Sequence, residues 1–93
     1  MNLYAGSGSV TSPQNGVPAM VIGVGPYLLS ITTTCHAHRG GHDWDVLWEV
    51  RDLRERNRIL GKGGDCCFAS SGDAAAIGRM MGLGQIDALF AAA

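Results

Sequence analysis

Hydrophobic and polar residues alternate along the segment YLLSITTTCHA, which follows the short apolar run AMVIGV and a Gly-Pro break. Leu29, Ile31 and Cys35 fall on one side of this alternation, while serine, threonine and histidine dominate the other. The segment is also rich in β-branched residues, and alternation with that composition is typical of a strand with one buried face. The pattern predicts a strand over residues 27–38, preceded by a short first strand over residues 19–24.

The next segment, DWDVLWEVRDLRERNRILGKGGD, allows two interpretations. A helix would begin at Asp43 as its N-cap and end at Gly61, with apolar residues at helical spacing between them. A hairpin would place Trp44, Val46 and Trp48 on one face, and its charged turn DLRERN would lead into the return strand RILGKG. We favour the hairpin, because a helix would put both tryptophans beside its apolar stripe and would leave an over-wide apolar face.

The last third of the chain predicts a short amphipathic helix. Ser70 and Asp73 have the spacing of a capping box at the start of SSGDAAAIGRMMG. Gly82 is expected to act as the C-cap, which would end the helix there. The residues expected to face the sheet lie on one helical stripe: Ala74, Ile77 and Met81. The following LGQIDALFAAA would add one or two further turns or form an apolar tail.

Together these elements predict an α+β fold, a small two-layer sandwich. A three- to four-stranded antiparallel sheet would be covered on one face by one or two C-terminal helices. A β-bulge is expected at Gly63-Gly64, where the return strand would continue into CCFA. Residues 1–16 are rich in glycine, serine and asparagine, and we expect a flexible lead-in there and a single domain over residues 17–93.

Charge is unevenly distributed along the 93 residues, whose net charge is −1. No charged side chain precedes Arg39, whereas residues 51–62 hold five basic residues against two acidic ones, a local balance of +3. The overall balance argues against a nucleic-acid binder, which normally carries a clear basic excess. A basic turn instead suits an acidic patch on a partner protein. We expect partner contacts from arginines of the turn and from apolar residues near the C-terminus: Arg51, Arg54, Arg56, Arg58, Leu89 and Phe90.

All three histidines and one of the three cysteines lie in the stretch CHAHRGGH. Strand alternation would bring His36 and His38 to one face, His42 could join them from beyond the turn, and Cys66 and Cys67 would face opposite ways. This spacing matches no established zinc motif, so we expect no cofactor. The alternative is a zinc-stabilised domain that uses His36, His38, His42 and Cys67. A cysteine nucleophile, activated by the start of the helix, is a further hypothesis, although no nucleophile signature surrounds Cys66 or Cys67.

The cysteine count also bears on location. Three cysteines, two of them adjacent, do not form a disulfide framework, so we expect reduced thiols and a cytoplasmic protein. The apolar run VPAMVIGVGPYLL has no basic flank and is interrupted by glycine and proline. We therefore expect neither a signal peptide nor a membrane-spanning segment.

The succession of a strand, a hairpin containing WEVRD and a helix capped by S-x-x-D resembles the layout of small bacteriophage-borne proteins. Among these, some anti-CRISPR inhibitors consist of three strands and a helix. The resemblance covers residues 27–82 and is one of layout, so it carries over no functional residue. It implies a non-enzymatic inhibitor that docks on a large host nucleoprotein complex in the host cytoplasm.

From the sequence we therefore expect a non-enzymatic protein-binding module that inhibits or regulates a partner by occupying its surface. A second copy of the chain is one candidate partner, because the sequence has surplus apolar surface for a small domain. Contact with a membrane or direct contact with nucleic acid is not expected. The alternatives from other classes are the zinc-stabilised domain and a structural virion component.

Overall fold

The computed structural model describes residues 19–92 as a four-stranded antiparallel sheet followed by one helix. The elements, in chain order, are β1 (Met20–Val24), β2 (Tyr27–His38), β3 (Gly41–Asp52), β4 (Arg58–Phe68) and α1 (Ser71–Ala92). Each strand pairs with the next along the chain, so the spatial order is β1-β2-β3-β4. The predicted α+β fold is confirmed, while the predicted lead-in over residues 1–16 lies outside the described residues.

The strand register confirms the hairpin interpretation of the tryptophan-containing segment. Ile31 of β2 is opposite Trp48 of β3, and Cys35 is opposite Trp44. Directly opposed residues of antiparallel strands point to the same face, so both tryptophans lie on the face that carries Ile31. Val46 and Val50 lie on this face as well, opposite Thr33 and Leu29, which is the alternation that the hairpin predicts.

The helix packs on that face, and the core lies between the two layers. The buried apolar residues come from β2, β3 and α1: Tyr27, Leu29, Ile31, Val46, Val50, Ala74 and Ile86. The other face carries the polar side of the alternation, including Ser30 and Thr32, and Leu47 on that face is 60% exposed. An antiparallel sheet with one packed and one solvated face accounts for the alternation in the sequence.

The start of α1 follows the sequence prediction, but its end does not. The Asp73 backbone N–H donates to the Ser70 hydroxyl at 3.1 Å, so Ser70 is the N-cap. The prediction that Gly82 ends the helix is wrong, because α1 continues for ten further residues to Ala92. Gly82 is buried in the middle of the helix rather than placed beyond its end.

The sheet-facing stripe of α1 consists of small residues. Ala74, Gly78 and Gly82 recur every four residues, and all three are buried. A Cβ atom at Gly78 would lie 2.6 Å from Cγ2 of Val46, and one at Gly82 would overlap the side chain of Leu29. The helix backbone therefore lies directly on the branched side chains of the sheet.

This arrangement corrects the predicted apolar stripe of the helix. Ile77 is only half-buried and Met81 is 37% exposed. Ile77 and Met81 are large apolar residues at helical spacing, and this pattern predicted that they face the sheet. The helix instead contacts the sheet through the neighbouring stripe of Ala74, Gly78 and Gly82. That stripe has almost no hydrophobic signal in the sequence, because glycine has no side chain to provide one.

Strand β4 also departs from the prediction. The expected bulge at Gly63-Gly64 is wrong: one register shift lies after Asp65, where Cys66 and Cys67 together face the single residue Asp45, and a second lies near Leu60. Gly63 has a different role, since a Cβ there would lie 2.8 Å from the indole ring of Trp48. Because Gly63 has no side chain, the indole of Trp48 can approach the backbone of β4 closely.

Gly82→Ala is expected to lower the free energy of unfolding by about 1–2 kcal/mol. The added methyl group must displace the fully buried Leu29 side chain, and this cost exceeds the roughly 1 kcal/mol that alanine contributes over glycine in a helix. Gly84→Ala is the matched control, because nothing lies within 4 Å of a Cβ at that position. The control should raise the free energy of unfolding by about 0.5–1 kcal/mol. Urea denaturation measures both, and equal stabilisation by the two substitutions would contradict the close approach.

Candidate functional site

The two sets of residues expected to contact a partner meet at one end of the sheet, around Tyr27. The Phe90 ring lies 5.2 Å from the Tyr27 ring, edge to face, and the Arg54 guanidinium lies 5.7 Å from the centre of the same ring. Asp52 is the register partner of Tyr27 on β3. We call this region the Tyr27 end: Tyr27, residues 52–58, and the last turn of α1 with Leu89 and Phe90.

A buried carboxylate fixes the turn between β3 and β4. Asp52 is only 3% exposed, and its Oδ1 accepts hydrogen bonds from the backbone N–H of Arg54 at 2.9 Å and from Nε of Arg54 at 3.1 Å. Its Oδ2 accepts a third bond from Nη2 of Arg54 at 2.9 Å. These hydrogen bonds from Arg54 hold the pKa of the Asp52 carboxyl below its usual range, against the opposing effect of burial. They also raise the pKa of Arg54.

The tip of the hairpin is a tight turn. The Arg58 N–H donates to the Glu55 carbonyl at 3.0 Å, and the two residues between them, Arg56 and Asn57, have φ of 55° and 60°. Positive φ at both central positions is what a type I′ turn requires. The side chain of Arg56 is exposed and forms no ion pair with the described part of the chain.

The other predicted arginines are engaged within the protein. Arg51 pairs with Glu49 at 3.1 Å and also donates to the Asn57 carbonyl at 3.2 Å. Arg58 pairs with Glu55 at 3.3 Å. Arg54 is held by Asp52, so Arg56 is the one of the four predicted arginines that has no acidic partner in the described structure.

The two predicted apolar contacts, Leu89 and Phe90, differ in solvent exposure. Leu89 is half-buried and packs against the core, whereas Phe90 is 47% exposed. One edge of the Phe90 ring lies over the β1–β2 turn, where a Cβ at Gly25 would come within 3.1 Å of it. Leu53, which the sequence analysis did not select, is 49% exposed at the same end. Asp52 was not among the predicted site residues, although an aspartate that opens a turn commonly accepts a hydrogen bond from the backbone N–H two residues on.

The histidines and cysteines do not converge. His36 and His38 share the open face of the sheet, as expected, and bond to Asp45 and Asp43 at 2.7 Å and 3.1 Å. His42 is opposite Ala37 and so lies on the other face. Across residues 19–92, no three His, Cys, Asp or Glu side chains are arranged to hold a metal ion. The zinc alternative built on His36, His38, His42 and Cys67 therefore has no assembled ligand set in the described structure.

The adjacent cysteines contradict the alternation expected of a strand. Instead of facing opposite ways, Cys66 and Cys67 have their Sγ atoms 2.9 Å apart. The cause is the bulge, in which Cys67 adopts φ of 72°. The hydrogen bond with the Cys66 thiol, helped by the carboxylates of Asp43 and Asp45, raises the pKa of Cys67 to about 11. Activation of a thiol nucleophile requires a lowered pKa, so this environment does not favour the hypothesis of an acidified Cys67.

Asp52→Asn is expected to lower the melting temperature at neutral pH, because a neutral amide cannot replace the charge-assisted bonds to Arg54. The folded-state pKa of Asp52 lies below its ordinary value of 3.8. Its contribution to stability is therefore present above 3.8 and is lost as the pH falls through the lowered pKa. The difference in melting temperature between wild type and variant should become smaller in that acid range.

The matched control is Glu55→Gln, which removes the exposed ion pair with Arg58. Thermal denaturation should show little change in melting temperature for this variant at neutral or acidic pH, because exposed ion pairs contribute little to stability. Equal melting temperatures for Asp52→Asn and wild type at neutral pH would contradict the structural role of the carboxylate.

Within residues 19–92, no helix has both the length and the apolar character needed to cross a membrane. No family model, no curated protein and no solved structure matches the chain.

Proposed function

We propose that the protein is a non-enzymatic binding module that inhibits or regulates a partner protein by occupying its surface through the Tyr27 end. The observation that carries this proposal is the grouping at that end of two half-exposed apolar side chains, Leu53 and Phe90, with the exposed Arg56. Aromatic residues and arginine are the types that dominate binding energy at protein interfaces. The remaining predicted contacts, Arg51, Arg58 and Leu89, would lie at the margin of the surface.

The rigidity of the turn supports this assignment. Three hydrogen bonds between Asp52 and Arg54, and the Arg54 guanidinium over the Tyr27 ring, hold the backbone that presents Leu53 and Arg56. A surface that is already ordered loses less conformational entropy when it binds. Arg54 thus supports the proposed surface from within, and Arg56 makes the outward contact.

The distribution of charge favours a protein partner over nucleic acid. The chain as a whole carries −1, and its local basic excess falls in residues 51–62. On the open face, His36, His38 and Arg51 each have an acidic partner within the protein, and Lys62 is a single basic side chain there without an ion pair in the described structure. A duplex or single strand would require an extended basic track, whereas one exposed arginine at the same end of the sheet as two half-exposed apolar side chains suits a small acidic and apolar patch.

The free thiols support a cytoplasmic setting. All three cysteines are free and exposed. Exposed thiols persist in a reducing compartment, so the proposed site of action is the cytoplasm, in a phage-infected host if the layout resemblance to phage inhibitors reflects origin. A host nucleoprotein complex is then the proposed partner, contacted through one of its protein surfaces.

Arg56→Ala is expected to weaken partner binding at least about tenfold and to leave the melting temperature unchanged, because the side chain is exposed and has no ion pair in the described structure. Arg54→Ala should lower the melting temperature, because it leaves the buried Asp52 carboxylate without its partner. Tagged wild-type chain is used to capture proteins from lysate, and the captured protein is identified. Its dissociation constant is then measured for both variants. An unchanged dissociation constant for Arg56→Ala would show that the turn is not part of the binding surface.

Leu53→Asp tests the apolar part of the surface, with Met80→Asp as its matched control. Met80 is 62% exposed on α1, away from the Tyr27 end. Leu53→Asp should abolish capture, because a carboxylate would replace an apolar contact and repel an acidic patch, while Met80→Asp should bind like wild type. Equal loss in both variants, or capture that a nuclease abolishes, would contradict docking on a protein through this end. Self-association lost with Leu53→Asp would identify a second copy as the partner.

A further inference from the structure

The second unusual feature of the protein lies at the opposite end of β4, where two thiols are brought together. Between the register pairs Val46–Asp65 and Trp44–Phe68, the two cysteines occupy the space opposite the single residue Asp45. In a regular strand, consecutive side chains point to opposite faces. Here the left-handed backbone at Cys67 turns its side chain to the side of Cys66, and the two exposed Sγ atoms lie 2.9 Å apart.

A direct disulfide does not fit this pair well. Adjacent Cα atoms across a trans peptide are about 3.8 Å apart, whereas disulfides span Cα separations of roughly 4.4–6.8 Å. None of the peptide bonds in the described residues is cis. An S–S bond between Cys66 and Cys67 would therefore be strained and easily reduced. A single atom placed between the sulfurs lengthens the bridge and relieves that constraint.

The geometry points to Cys66 and Cys67 as a vicinal dithiol site that binds one soft, thiophilic centre of the trivalent arsenical class. An organic arsenoxide, R–As=O, would lose its oxygen as water together with the two thiol protons. Two S–H bonds break and two As–S bonds form, arsenic remains trivalent, and no oxidant or reductant takes part. Soft sulfur ligands prefer soft centres of this kind.

Two observations favour this class over a metal cation. A tetrahedral metal requires further protein ligands, and within residues 19–92 no third His, Cys, Asp or Glu completes such a set. A cuprous dithiolate would carry a net negative charge beside the carboxylates of Asp43 and Asp45, which lie close enough to act on Cys67. The dithioarsenite product is neutral, and its third valence is filled by its own organic group.

The surroundings also have room for that organic group. Cys66 lines an open groove of about 630 Å³ on the open face of the sheet, together with Thr34, His36, Leu47 and Gly64. Leu47, which is 60% exposed, offers an apolar wall. An aromatic substituent is therefore the suitable probe, and phenylarsine oxide provides it.

The test uses the full chain, reduced and without a tag. Titration with phenylarsine oxide should give one adduct per chain by intact mass spectrometry and should reduce the titratable thiols from three to one. A small dithiol should reverse the adduct, whereas a monothiol at the same concentration should not. Wild-type chain that forms no adduct, or an adduct that a monothiol removes, would overturn the assignment.

Three serine variants separate the pair from the remaining thiol. Cys66→Ser and Cys67→Ser should each weaken binding at least about 100-fold, because the second As–S bond is intramolecular only when both thiols are present. Cys35→Ser is the matched control, since Cys35 is also exposed and lies on β2. It should bind one arsenical with wild-type affinity and leave no free thiol. Binding lost with Cys35→Ser, or kept in both other variants with unchanged circular dichroism, would contradict the site.

Discussion

The contact between the glycines of α1 and the branched side chains of the sheet sets the geometry of the whole domain. Gly78 and Gly82 leave space that Val46 and Leu29 fill, so the helix axis lies closer to the sheet than larger residues would allow. Two buried glycines lower intrinsic helix stability by about 1 kcal/mol each relative to alanine. The helix persists through them because tertiary packing, rather than propensity, supplies most of its stability.

The length of the helix follows from this packing, and the Tyr27 end depends on the length. Because α1 does not end at Gly82, its last turns reach the start of β2, where Ile86 is buried and Phe90 meets Tyr27. The hairpin turn contacts the same tyrosine through Arg54. One aromatic ring thus links the C-terminal turn of the helix to the turn of the hairpin, which are about 35 residues apart in sequence.

The parts of the structure that were predictable are those in which large side chains carry the pattern. The alternation of Trp44, Val46, Trp48 and Val50 identifies β3, and the Ser70–Asp73 spacing identifies the start of α1, because burial and capping both depend on side-chain type. The end of the helix was not predictable in the same way. A glycine after an apolar helical stripe is a typical C-cap, so the local sequence predicts that the helix ends at Gly82. Only the three-dimensional structure shows that Gly82 packs against the side chain of Leu29 in the middle of the helix.

The same limit applies to the candidate sites. The sequence selects the arginines and Phe90 by composition, but it does not show that Asp52 holds Arg54 while Arg56 remains exposed. It also places Cys66 and Cys67 on opposite faces, since strict alternation has no means of locating a bulge. Sequence periodicity describes regular elements, whereas both sites lie where β4 begins and ends and regularity is lost.

Left-handed backbone conformations occur near both ends of β4. Arg56, Asn57 and Cys67 are the non-glycine residues with positive φ in residues 19–92; the first two directly precede β4, and Cys67 is its penultimate residue. A left-handed residue with a side chain costs on the order of 1 kcal/mol, although asparagine tolerates it better. Glycine would remove that cost, and the chain uses glycine freely at Gly25 and Gly41, where φ is also positive. Strain of this kind tends to persist where a side chain serves a function. An arginine at the tip of the hairpin and a second thiol beside the first are side chains that glycine could not provide.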